Sequence, residues 1–172
     1  MAQFATSLFH FKKEHAEEAP ERTFLGFAVG DQSYALDVAA VREILRIPRI
    51  YSLPKVPVFV KGLVDLRGEI LPLMDLKERL GLGGVDTKKG RIVVMLPGAK
   101  PLGLLVDTVL EVFRVKADDI KPSPEMPASE NLEFLEGIVK VGENLYMLLK
   151  ARDLLTPQEL KALVRQPWAP GR

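Results

Sequence analysis

The 172-residue sequence predicts a mainly β protein of two small barrel-like subdomains packed on a shared hydrophobic core, with short helices. Three observations carry that expectation. Short strand-like runs broken by Gly and Pro turns recur along the chain, the texture of small barrels rather than of a parallel sheet. An internal repeat is present: residues 30–47 lie without a gap over residues 98–115, and Gly30, Leu36, Val38, Val41, Glu43 and Arg46 meet identical residues. Residues 62–66 lie over 137–141, and a one-residue deletion then brings Gly68-Glu69 over Gly142-Glu143. Each half is too small to bury its apolar surface alone, so the two must share a core.

Residues 1–22 read as a flexible, unanchored N-terminal tail set off by Pro20; the competing reading places Phe4, Leu8, Phe9 and Phe11 on one apolar helical face. Residues 23–29 form a strand, Gly30-Asp31-Gln32 its hairpin turn and residues 33–37 the return strand. Asp37 is placed to cap a short helical turn over residues 38–42. Residues 44–47 are β-like, and Pro48, Pro54 and Pro57 make the next connection too proline-rich for a central strand. Residues 62–75 form a second hairpin with Arg67 at its turn. One helical turn follows over 76–80, and Gly81-Leu82-Gly83-Gly84 is the clearest boundary in the chain.

Beyond it come strands over 91–96, 101–106 and 109–115, a loop with Pro122, Pro124 and Pro127, a last hairpin over 137–149 and two C-terminal helical segments. The first barrel is therefore expected to span residues 23–83 and the second 84–156, with strand exchange between them, ahead of a C-terminal helix and tail over 157–172.

Composition narrows the function. The 24 basic and 23 acidic residues give a formal charge of +1, which supplies no electrostatic footprint for nucleic acid or an anionic membrane. Without Cys there are no disulfides or thiolate ligands. The apolar runs at 92–96 and 104–106 fall far short of the roughly 20 residues that span a bilayer. Lys12, Lys13 and Glu14 follow too few apolar residues for a signal peptide, so the expected location is cytoplasmic.

Catalysis is not expected. General-base work falls most often to His, and both histidines, His10 and His15, lie in the tail at a spacing unsuited to two ligands on one helical face. No P-loop and no G-x-S-x-G is present, and Gly81-Leu-Gly-Gly84 reads as a linker rather than a phosphate cradle. Asp65, Glu69 and Asp75 flank the second hairpin without an evident titratable partner and read as a solvated face. No metal, catalytic residue or cofactor is assigned.

Recognition is the better use of the second hairpin. An Arg on a tight turn between strands offers a fork for carboxylates and carbonyls; the competing reading is a solvated turn residue. Arg67 has no partner in the repeat alignment, where Val141 runs directly into Gly142. Glu43 repeats as Glu111, each followed by an Arg three residues on, so a local salt bridge and a binding role both remain open for it. Val41 with Val109 and Leu36 with Leu104 are expected in the core.

Val41-Arg42-Glu43-Ile44, the proline-bearing connection, K-G-L-V-D-L-R-G-E-I-L-P-L-M-D-L over residues 61–76, Gly103-Leu-Leu-Val-Asp107 and the Gly137 hairpin resemble the CheW family of bacterial chemotaxis coupling proteins. The resemblance covers residues 23–155. It implies two five-stranded SH3-like β-barrels and no catalytic activity. It also implies an adaptor joining the cytoplasmic tip of methyl-accepting chemoreceptors to the regulatory domain of a CheA-type histidine kinase, with self-association in membrane-associated arrays and no direct membrane insertion. The arginine of the family's N-L-R-G motif falls on Arg67 and its V-x-E on Val41 and Glu43, positions tied to coupling. Ile92, Val109 and Val112 fall on apolar positions near the second barrel's binding face. Asp65 replaces the family's usual Asn, placing a carboxylate where it would hold the Arg67 guanidinium or tune partner choice.

The alternative from another class is a small barrel binding nucleic acid or a small ligand. The near-neutral charge and the single Trp, Trp168 near the C-terminal end, weigh against base stacking.

Overall fold

A computed structural model describes residues 20–122 and 134–164. The expectations for residues 1–19 of the tail, for the loop at Pro124 and Pro127 and for Trp168 lie outside the described residues; the last two residues of the expected tail, Glu21 and Arg22, belong to the first strand, where pairing with Lys116 and Val115 extends it.

Strand β1 (Glu21–Val29) and β2 (Gln32–Asp37) form a hairpin through the two-residue turn Gly30-Asp31, and a 310 turn (Val38–Ala40) leads to β3 (Val41–Arg46). The side chain of Asp37 caps that turn by accepting from Ala39 N at 2.9 Å, as the sequence predicts. Strands β4 (Val60–Leu66) and β5 (Glu69–Asp75) form the Arg67 hairpin, followed by α1 (Leu76–Arg79). Then come β6 (Arg91–Met95), β7 (Leu102–Val106), β8 (Thr108–Lys116), the short β9 (Lys121–Pro122), β10 (Leu135–Val141), β11 (Asn144–Leu149) and α2 (Pro157–Val164).

Two sheets result, ordered β8-β1-β2-β11-β10-β9 and β3-β6-β7-β5-β4. The repeat explains both. Strands β1 to β5 of the first copy correspond to β6, β7, β8, β10 and β11 of the second, so each sheet runs third, first, second, fifth, fourth. Each takes its first two strands from one copy and its last three from the other, joined by the parallel pairs β2–β11 and β5–β7. A boundary at residue 83 therefore does not separate the sheets. The chain crosses between them at the 310 turn before β3 and again at Asp107, between β7 and β8.

The ladders also correct the repeat alignment. Leu66 faces Glu69 and Val141 faces Asn144, so both hairpins have two-residue turns, and no residue is deleted. Across this hairpin the offset is 75 (135 − 60 and 144 − 69), with matching register shifts at Val60/Gly62 and Leu135/Gly137. Arg67 is thus equivalent to Gly142 and does have a counterpart; matching by residue identity had drawn Gly68 onto Gly142. Gly62 and Gly137 are equivalent too. A Cβ on Gly62 would strike the Tyr51 carbonyl, and one on Gly137 would lie 2.5 Å from the Lys121 carbonyl oxygen.

Strand alternation sorts side chains into three clusters. The sheet β8-β1-β2-β11-β10-β9 forms the first barrel and the sheet β3-β6-β7-β5-β4, which holds the Arg67 hairpin, the second. In β6, Ile92 and Val94 point into the second barrel with Val64, Leu71, Leu73, Val85 and Leu105, while Val93 and Met95 face the other sheet. In β2, Ala35 points into the first barrel with Phe24, Phe113, Val139, Tyr146 and Leu148, while Tyr34 and Leu36 face across. Leu25, Phe27 and Val29 meet Val60, Met74, Leu104 and Val106 in the shared core. Central strands are buried on both faces, which is why the apolar runs at 92–96 and 104–106 are continuous instead of alternating.

Candidate functional site

Arg67 and Gly68 both have positive φ, 53° and 90°, as a type I′ hairpin turn requires. The Asp65 side chain fixes the turn by accepting from Gly68 N at 2.9 Å. That bond needs a side-chain oxygen rather than a charge, so Asp and Asn serve alike. Asp65 does not hold the guanidinium: Arg67 turns to Glu43, placing one Nη2 at 3.0 Å from both carboxylate oxygens. Glu43 also accepts from Arg42 Nε at 3.3 Å, and Arg42 Nη1 reaches Glu69 at 2.7 Å. The bond to Glu69 raises the Arg42 pKa above its ordinary value.

This quartet joins β3, at one edge of its sheet, to the β4–β5 hairpin at the other end, and so closes the second barrel electrostatically. The Arg67 side chain remains 76% exposed while that of Glu43 is 23% exposed. Among the described residues only Nη2 of Arg67 is engaged, leaving Nε and Nη1 free to donate to a partner's carboxylate or carbonyl. Ile44 and Ile70, each next in sequence to a member of the quartet, are exposed apolar side chains. The arrangement suits recognition. Among the described residues no three His, Asp or Glu side chains converge as a metal site needs.

The local Glu43–Arg46 pair expected from spacing does not form, because positions three apart on a strand point to opposite faces. Glu111, the equivalent of Glu43, accepts from the Tyr146 hydroxyl at 2.9 Å rather than pairing with Arg114. Asp75 is not part of a solvated face. It is fully buried, accepting from Glu78 N at 3.1 Å to cap α1 and from Val85 N at 2.9 Å, with Lys61 Nζ at 3.9 Å.

Arg67, Glu43 and Asp65 lie together; the four apolar candidates do not join them. Val41 and Val109 are half-buried against the shared core, matching their expected core role. Val112 is 60% exposed on β8, at the edge of the other sheet. Ile92 is 0% exposed inside the second barrel and is a core residue, unavailable to any partner: strand alternation turns it inward. Sequence reasoning missed Arg42 and Glu69 as members of the quartet. Their 27-residue separation gives no local signal, and only the β4–β5 turn geometry brings them together.

The sequence matches the CheW-like domain family over residues 23–159. Chemotaxis protein CheW from Klebsiella aerogenes is 32% identical over 146 residues, covering 84% of this chain and 88% of that protein. Protein FrzA from Myxococcus xanthus is 33% identical over 153 residues, covering 87% and 95%. The crystal structure of the scaffolding protein TtCheW from Thermoanaerobacter tengcongensis superposes with a TM-score of 0.72 at 31% identity, covering 78% of this chain and 92% of that one. With the two exchanged barrels and a matched domain running from β1 into α2, the chain belongs to the CheW-like domain family.

Proposed function

We propose that the chain is a non-catalytic chemotaxis adaptor that couples the cytoplasmic tip of methyl-accepting chemoreceptors to the regulatory domain of a CheA-type histidine kinase. The observation that carries this reading is Arg67: an exposed guanidinium projected on a two-residue turn, tethered at one nitrogen by Glu43 and open at the others. The names of the relatives, chemotaxis proteins and a scaffolding protein, support the biological setting. Among the described residues no helix is long and apolar enough to cross a membrane. The proposed site of action is the cytoplasmic side of a receptor array, in which copies also self-associate.

Each residue then has a role. Arg67 donates to the partner, Glu43 aims it, Asp65 fixes the turn beneath it, and exposed Val112 supplies apolar contact on the other barrel. An Arg that becomes desolvated at such an interface is worth about 2 kcal/mol or more. Weak single contacts add up through repeated engagement in an array. Arg67→Glu is expected to abolish capture by receptor signalling tips while lowering thermal stability only slightly, since it loses one exposed ion pair and sets a like charge beside Glu43 on a side chain that is mostly in solvent. Normal capture by that variant would remove Arg67 from the interface.

A further inference from the structure

The two barrels close differently. In the second, ion pairs join β3 to the β4–β5 hairpin. In the first, the space between the end of β8 and β9–β10 is an open groove of about 520 Å³. Ile138, Val141 and the 56% exposed Leu145 give it an apolar floor. Arg114, Lys116, Lys121 and Lys140 surround it, against the acidic Glu21 and Asp119. None of these four cations is in an ion pair among the described residues, so the groove carries a net positive rim in a chain that is close to neutral.

We propose that this groove is the docking site of the chain's own residues 1–19. Three observations select that occupant. Glu21, the first residue of β1, itself lines the groove, so the segment before Pro20 is delivered to its mouth. Three acidic residues come just before that point: Glu14, Glu17 and Glu18 lie three to seven positions before Glu21, within reach of the rim at about 3.3 Å per residue, with Lys12 and Lys13 preceding them. Farther out, Phe4, Leu8, Phe9 and Phe11 match the apolar floor. Acidic residues near the anchor and aromatics beyond it mirror the rim and floor in kind. Docking covers this gap in the first barrel, and it competes with any partner that approaches through β8 or β10.

The absence of Cys allows a single spin label on the chain as Ala5→Cys, far enough from Glu21 that the tether alone does not hold it at the groove. The expected result is paramagnetic loss of the amide signals of Lys116, Lys121, Lys140 and Leu145, with those of Glu43 and Ile44 retained. Lys116→Glu with Lys140→Glu restores the signals of Lys121 and Leu145, and adding Glu14→Lys, Glu17→Lys and Glu18→Lys to that variant abolishes them again. Uniform signal loss, none, or loss indifferent to charge reversal overturns the proposal. So does signal loss seen only when spin-labelled and isotope-labelled copies are mixed, which assigns the groove to a second copy.

Discussion

Arg67 holds a left-handed backbone (φ 53°) where the equivalent Gly142 (φ 60°) does so without a Cβ. The other copy makes its two-residue turn with glycine at this position, so the turn itself does not require an arginine. Arg67→Gly relieves the backbone strain but loosens the unfolded chain and removes an exposed ion pair, terms of about 1 kcal/mol each that oppose one another. Urea unfolding is expected to place the variant within about 1 kcal/mol of the parent, while receptor capture is lost; retained capture would mean the backbone turn alone suffices. Tyr34 and Tyr146 carry a second residue-scale expectation. Burial raises both hydroxyl pKa values above 10, and for Tyr146 the bond to Glu111 adds to the rise. The neutral forms are favoured in the fold, so this stability is complete below pH 10 and is lost as pH climbs through the raised values. Absorbance at the tyrosinate band is expected to show both groups ionising only above pH 10, together with loss of structure, and Tyr146→Phe to flatten that alkaline limb. The Arg67 turn was legible from residue types alone. Its pairing with Glu43 was not, because the sequence pattern offered the nearer Arg46 and carries no measure of which strand edges meet.

At the scale of elements, most of the strands could be read because Gly and Pro punctuate them and alternation or continuous burial marks their faces. Bounds moved by one to three residues: β3 begins at Val41 rather than 44, since the capping turn stops at Ala40. Asp75 was misread because a carboxylate between a strand and a helical turn looks solvated until β4, α1 and Val85 are seen to enclose it. The bulged positions Gly62 and Gly137 were read only as hairpin starts, although each marks where a neighbouring carbonyl presses on the strand. Gly62→Ala meets the Tyr51 backbone at a φ of 140° and is expected to cost more than about 2 kcal/mol. Gly142→Asn, in open space in the left-handed region that Asn tolerates, is expected to cost less than about 1 kcal/mol. Paired urea titrations settle the order of the two, and an equal cost would refute the close approach at Gly62.

For the whole molecule, shared strands imply shared fate. Neither sheet can be completed from one copy of the repeat, and the largest core cluster draws on both sheets. Leu104→Ala removes a fully buried side chain from that cluster, at an expected cost of about 2–5 kcal/mol. Denaturation followed by circular dichroism and by hydrogen exchange is expected to show a single transition, displaced as one; two separate transitions would mean the barrels stand independently. The two-subdomain plan was visible in the repeat, because equivalent strands keep their apolar pattern. Which strands share a sheet was not: the repeat is indifferent to exchange, and it is revealed by the pairs that join the copies, β1–β8 and β2–β11 in one sheet and β3–β6 and β5–β7 in the other.

That exchange has a consequence for ancestry and engineering. Treated as separate chains, the two repeats would form a twofold dimer in which each partner lends three strands to the other's barrel, a swapped homodimer if the repeats were identical. The glycine-bearing link at residues 81–84 is the stitch that turns such a dimer into one polypeptide. In one polypeptide the halves need not match, and the equivalent turn carries Arg67 in one and Gly142 in the other. Cutting between residues 83 and 84 would undo the stitch and yield two fragments that fold only in each other's company.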